Sequence, residues 1–102
     1  MLQLDENGYL KHLEDWDEDA ARQLAQLESI QLTEEHWELI EVARLYYAEF
    51  DHAPAMRPLV KLVKQIAGPK KGNSIYLHKL FPVSPAKQLA RISGLPKPTK
   101  CL

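Results

Sequence analysis

A run of helically spaced apolar residues, bounded by a good cap and a proline, most narrows what this chain can fold into. Thr33 suits a helix N-cap, Glu34 and Glu35 suit the positive end of the helix dipole, and Leu39, Ala43, Tyr46 and Phe50 recur at helical spacing. Ala53-Pro54 ends that helix, because proline disfavours helical backbone in the residue before it. The same caps and breakers divide the rest of the chain. Asp15 or Asp17 caps an earlier helix reaching about residue 28, with Ala20, Leu24 and Leu27 as its apolar stripe. Pro58 fits the first turn of a helix over about 57–67, where Leu59, Leu62, Val63 and Ile66 share one face and Gly68-Pro69 closes it. A short helix over 73–80 stops before Pro82, and Ser84-Pro85 opens another that Gly94 ends.

Two segments fall outside this helical pattern. Asn7-Gly8 is a turn dipeptide followed by Tyr9 and Leu10, which predicts a short N-terminal β-hairpin or extended segment. Pro96 and Pro98 exclude a helix over the last eight residues and favour a stiff, polyproline-like arm. The expected fold is therefore mainly α: a small orthogonal helical bundle over 1–94, with a flexible, projecting C-terminal arm over 95–102. The aromatics Trp16, Trp37, Tyr46, Tyr47, Tyr76 and Phe81 fall mostly on the helical stripes and read as core packing.

With 102 residues there is room for one domain and one modest core. No stretch approaches the roughly 18 uninterrupted apolar residues of a membrane span, and acids occupy the first twenty positions where a secretory leader needs a basic flank. A cytoplasmic protein without membrane partners is the expectation, and a single cysteine fits a reducing compartment. Charge is strongly polarised. All 14 acids lie between Asp5 and Asp51, so residues 1–52, with only Lys11, Arg22 and Arg44 as cations, carry -11. Residues 53–102 hold ten Lys or Arg and no acid, giving +10. Such a split either presents a positive face to RNA or acidic protein surfaces, or is neutralised where the halves pack.

Cys101 is the residue with the most chemistry open to it. It is penultimate, on the arm, and flanked by Lys97 and Lys100, whose charges favour the nucleophilic thiolate while the terminal carboxylate opposes them. One residue follows it rather than three, so it is no prenylation signal. His12, His36, His52 and His78 show no zinc-ligand pairing with one another or with Cys101, and no second thiol exists for a thioredoxin-like pair. Asp15-Trp16-Asp17-Glu18-Asp19 begins like a calcium loop, but Ala20 and Gln26 stand where glycine and glutamate are required, which leaves an acidic cap. The sequence implies neither a metal nor a cofactor. The helices flanking 68–73 outline a helix-turn-helix in the basic half, so nucleic-acid binding stays open as an alternative. A redox-regulatory protein that uses Cys101 for intermolecular disulfides is a further alternative.

Several segments together resemble the DsrC/TusE family of bacterial and archaeal sulfur metabolism. They are Asn7-Gly8-Tyr9-Leu10, Leu32-Thr33-Glu34-Glu35-His36-Trp37-Glu38, Pro54-Ala55-Met56-Arg57, Lys71-Gly72-Asn73-Ser74, Leu80-Phe81-Pro82, Pro85-Ala86-Lys87-Gln88 and Gly94-Leu95-Pro96-Lys97-Pro98-Thr99-Lys100-Cys101. Members active in sulfite reduction carry a second cysteine eleven residues before the last, where this chain has Ala90, so the resemblance is to the TusE branch and implies tRNA thiolation. It implies that Cys101 accepts sulfane sulfur from a TusBCD-like complex and delivers it to an MnmA-like tRNA-thiolating enzyme, which can already hold its tRNA. Arg57, Lys71, Asn73 and Arg91, with Lys97 and Lys100 of the arm, are the candidates for arm docking or partner contact. The chain departs from the family in its shorter N-terminal segment and in Lys70-Lys71, which replaces an acid-lysine pair.

Overall fold

The segment before the first helix turns at an aspartate. In the computed structural model, which describes residues 2–98, Asp5 Oδ1 accepts the N–H groups of Asn7 (2.8 Å) and Tyr9 (3.0 Å). Gly8 supplies the positive φ of 85° that the turn needs. Extended pairing among the described residues amounts to one antiparallel bridge, Leu4 to Leu10, and there is no sheet. A 3-10 turn at Leu13–Asp15 leads into five helices: α1 Glu18–Leu27, α2 Glu34–Phe50, α3 Met56–Ala67, α4 Ser74–Leu80 and α5 Pro85–Ile92. None is long and apolar enough to cross a membrane.

The first, second and fourth helices start where a side chain takes over an orphan backbone donor. Asp17 rather than Asp15 caps α1, its Oδ1 accepting from Ala20 N–H at 2.8 Å. At α2 the reciprocal partner of Thr33 is a histidine. His36 Nδ1 accepts the Thr33 N–H at 3.1 Å while Nε2 faces the Leu80 carbonyl at 2.9 Å, so the ring proton sits on Nε2. His36 thus ties the start of α2 to the end of α4, and Phe81 packs edge-on against it at 5.2 Å. Asn73 caps α4 through Oδ1 to Tyr76 N–H (2.8 Å), and its amide nitrogen donates to the carbonyls of Pro69 and Lys70.

The short α5 is the hub, and it packs against α1, α2, α3 and α4. Pro85, Gln88, Leu89, Ala90 and Ile92 are all buried. The buried Gln88 amide is satisfied on both sides: its oxygen accepts the Val83 and Ser84 N–H groups, and its nitrogen donates to Glu28. Around α5 lie Tyr9, Leu24, Leu39, Ile40, Leu59, Val63, Leu77 and Phe81, a single core.

Three residues of the expected apolar stripes are exposed instead. Leu27, Phe50 and Ile66 are 69%, 54% and 55% exposed. Their helices outrun the hub. α2 is about 25 Å long and α5 about 12 Å at 1.5 Å per residue, so α2 buries its first turns through Ala43 and leaves its last ones uncovered. Of the aromatics, Phe81 is buried while Trp16, Trp37, Tyr46, Tyr47 and Tyr76 are half-buried.

Candidate functional site

The C-terminal end of α5 is closed by long-range partners. Gly94 takes φ 71°, and the Leu95 N–H turns back to the Ala90 carbonyl at 2.9 Å, which pairs a carbonyl the helix itself leaves open. The Ile92 carbonyl accepts the Trp16 indole N–H at 2.8 Å, and the Ser93 carbonyl accepts Arg44 Nη1 at 2.6 Å. The Arg44 guanidinium lies 3.9 Å over the Trp16 ring, a cation-π stack. No carboxylate pairs with Arg44 among the described residues. Burial pulls its pKa below the ordinary value, and the negative end of α5 faces its charge instead. Trp16 also covers Gly94 so closely that any Cβ there would overlap the indole.

This clamp fixes where the terminal segment leaves the body. Leu95 is buried, one residue past the boundary expected at Gly94, whereas Pro96 and Lys97 are exposed. The chain then runs back toward the N-terminal end of α5. Lys97 and Pro98 line a groove of about 550 Å³ together with Met56, His78, Val83 and Lys87. Thr99, Lys100 and Cys101 lie outside the described residues.

The remaining candidates are dispersed rather than gathered. Arg91 donates through Nε to the Asn7 carbonyl (3.1 Å), pairs with Glu28 at 3.4 Å and lies 5.0 Å over the Tyr9 ring, so it fastens the N-terminal turn to α5 and α1. Lys71 Nζ pairs with Glu38 at 2.9 Å, a bond that raises the lysine pKa. Asn73 is the loop staple and cap of α4, and Gly72 beside it presses on the α3 backbone at Lys64, where a Cβ would not fit. Arg57 is exposed at the start of α3. Packing neutralises little of the charge split. Lys71 and Arg91 make the ion pairs that cross between the halves, while Arg57, Lys61, Lys64, Lys70, Lys79, Lys87 and Lys97 are exposed and make none among the described residues. Trp16 and Arg44 were not legible as an arm clamp, since their partners lie far along the chain; the one hint was an arginine within a strongly acidic half.

A helical body that fixes the root of a terminal segment bearing the sole cysteine has well-defined relatives. A family model described as DsrC like protein matches residues 1–102. Among solved structures, the Allochromatium vinosum DsrC superposes with a TM-score of 0.89 at 50% identity, covering 99% of this chain and 90% of that one. The oxidized gamma-subunit of the dissimilatory sulfite reductase (DsrC) from Archaeoglobus fulgidus gives 0.86 at 46%, covering 99% and 92%. The chain belongs to the DsrC family.

Its curated relatives narrow the class further. The Sulfurtransferase TusE homolog of Haemophilus influenzae is 54% identical over 101 residues, which are 99% of this chain and 93% of that protein. Sulfurtransferase TusE of Yersinia pseudotuberculosis is 51% identical over 102 residues, 100% and 94% of the two chains. Full-length similarity at this level gives the chain a sulfur-relay role as a sulfurtransferase.

Proposed function

We propose that this chain is a cytoplasmic sulfur carrier that holds sulfane sulfur as a persulfide on Cys101. One observation carries the reading: a sulfurtransferase needs a sulfur nucleophile, and this chain has one cysteine. The Cys101 thiolate attacks the outer sulfur of a donor persulfide, the S–S bond of the donor breaks, and the donor cysteine leaves as thiolate. Delivery repeats the step in reverse, an acceptor thiolate attacking the outer sulfur while Cys101 leaves. No external oxidant or reductant enters either exchange. Lys97 and Lys100 favour the ionised thiol in both roles.

The donor in this reading is a TusBCD-like complex, and the acceptor is an MnmA-like enzyme that thiolates the wobble uridine of tRNA. The residues after Leu95 act as the arm that lets one sulfur visit two partners, and the closed α5 end supplies a fixed root for it. The test is reconstitution with cysteine desulfurase, relay complex, thiolating enzyme and tRNA, scoring 2-thiouridine in digested tRNA. Wild type restores the modified base and Cys101→Ser gives none. Equal 2-thiouridine with Cys101→Ser would sink the reading.

A further inference from the structure

Among the described residues, the groove beside the terminal segment carries the most exposed of the large apolar side chains. Val83 is 82% exposed, although burying a valine is worth about 1.5 kcal/mol or more. Ile75, 74% exposed, lies one turn before His78 on the same face of α4, and His78 lines the groove. Met56 adds a deformable apolar wall. Around these stand Lys87 and Lys97, with no acid anywhere after Asp51 to offset them.

The position of this patch follows from the chain itself. Pro98 lies on the groove, and only two residues stand between it and Cys101, a reach of at most about 10 Å. A macromolecule that brings its own reactive atom to Cys101 must therefore come within that distance of Pro98, on the groove that Val83 and Lys87 also line. Cations alone would suit nucleic acid or protein equally. The two exposed aliphatic side chains decide for protein, because a phosphate backbone offers them nothing to bury against.

We propose that the groove lined by Met56, His78, Val83 and Lys87, with Ile75 beside it, is the docking surface for the sulfur-donating protein, which presents an apolar ridge flanked by carboxylates. This rests on the assignment of Cys101 as the sulfur-carrying atom. Val83 fills the partner's apolar contact and leaves water only in the complex. Lys87 faces its carboxylates and raises the encounter rate, an effect that weakens with salt.

The experiment separates docking from chemistry. Wild type, Val83→Asp, Lys87→Glu and the control Leu27→Asp, an exposed apolar site on α1, are each loaded in two ways: by glutathione persulfide, and by the purified persulfide-bearing donor complex. All four should load at the same rate from glutathione persulfide. From the donor complex, Val83→Asp and Lys87→Glu should lose roughly tenfold in kcat/KM, as expected for a central interface residue, while Leu27→Asp keeps the wild-type value. Val83→Asp at wild-type rate from the donor complex would overturn the proposal. So would a result in which Lys87→Glu weakens binding to bare tRNA while Val83→Asp transfer is intact, which would make the surface a phosphate contact. Failure of wild type to load from either source would remove the Cys101 assignment itself, and the docking surface with it.

Discussion

The two ends of α5 are built for opposite purposes. At the C-terminal end, the carbonyls of Ala90, Ile92 and Ser93 are each paired, two of them with side chains from α2 and the segment before α1, and Leu95 is sealed in the core. At the N-terminal end, Val83 stands in water and Lys87 has no ion-pair partner among the described residues. The chain connects the two, leaving the closed end after Leu95 and reaching the open end at Lys97 and Pro98. About 10 Å of extended chain from Leu95 to Pro98 covers most of the length of a helix of about 12 Å, so this return needs no further structure. The difference separates two tasks a carrier must perform. One end holds the root of the cysteine-bearing segment still, and the other keeps apolar and charged groups available.

Substitutions at the closed end should cost stability, and those at the open end should not. The largest effect is expected from Gly94→Ala, which combines a positive φ with overlap against Trp16. Urea unfolding should show a loss of roughly 3 kcal/mol. A loss under about 1 kcal/mol would mean that Trp16 swings away easily and that the end is not closed. Arg44→Met keeps much of the bulk over Trp16 but removes a charged donor from Ser93, and should cost about 2 kcal/mol, with Arg44→Lys recovering part. Trp16→Phe retains a ring beneath Arg44 but loses the bond to Ile92 and part of the indole's packing. About 1 kcal/mol is expected in the same assay. Val83→Ser at the open end should stay within about 0.5 kcal/mol of wild type, since there is little burial to lose. A Val83→Ser loss comparable to that of Arg44→Met would break the comparison between the two ends.

Local grammar made much of the fold legible. The Thr33 start of α2, the Asn73 and Pro85 starts of α4 and α5, and the closure at Gly94 all depend on a few neighbouring residues, and all are where the sequence puts them. Stripe periodicity carried less, because it gives the direction of a face but not the length of its neighbour. That is why Leu27, Phe50 and Ile66 sit in water at the ends of well-predicted helices. The Thr33 cap was readable, but its partner was not, since His36 takes the place usually held by Glu or Gln and is positioned by Leu80. For the site, the single cysteine and the proline-punctuated ending were readable at once. The clamp was not: Trp16 resembles any core aromatic, and Arg44 acquires its role only when Ser93 is brought beneath it.

The central claim is that Cys101 bears the transferred sulfur, and intact mass tests it most directly. The purified protein is incubated with cysteine desulfurase, cysteine and the relay proteins, then weighed under non-reducing conditions beside Cys101→Ser. The account predicts a gain of one sulfur, about 32 daltons, on wild type and none on the variant, because only a thiolate can take the sulfur. Wild type that stays at its starting mass while the donor demonstrably carries persulfide would contradict it.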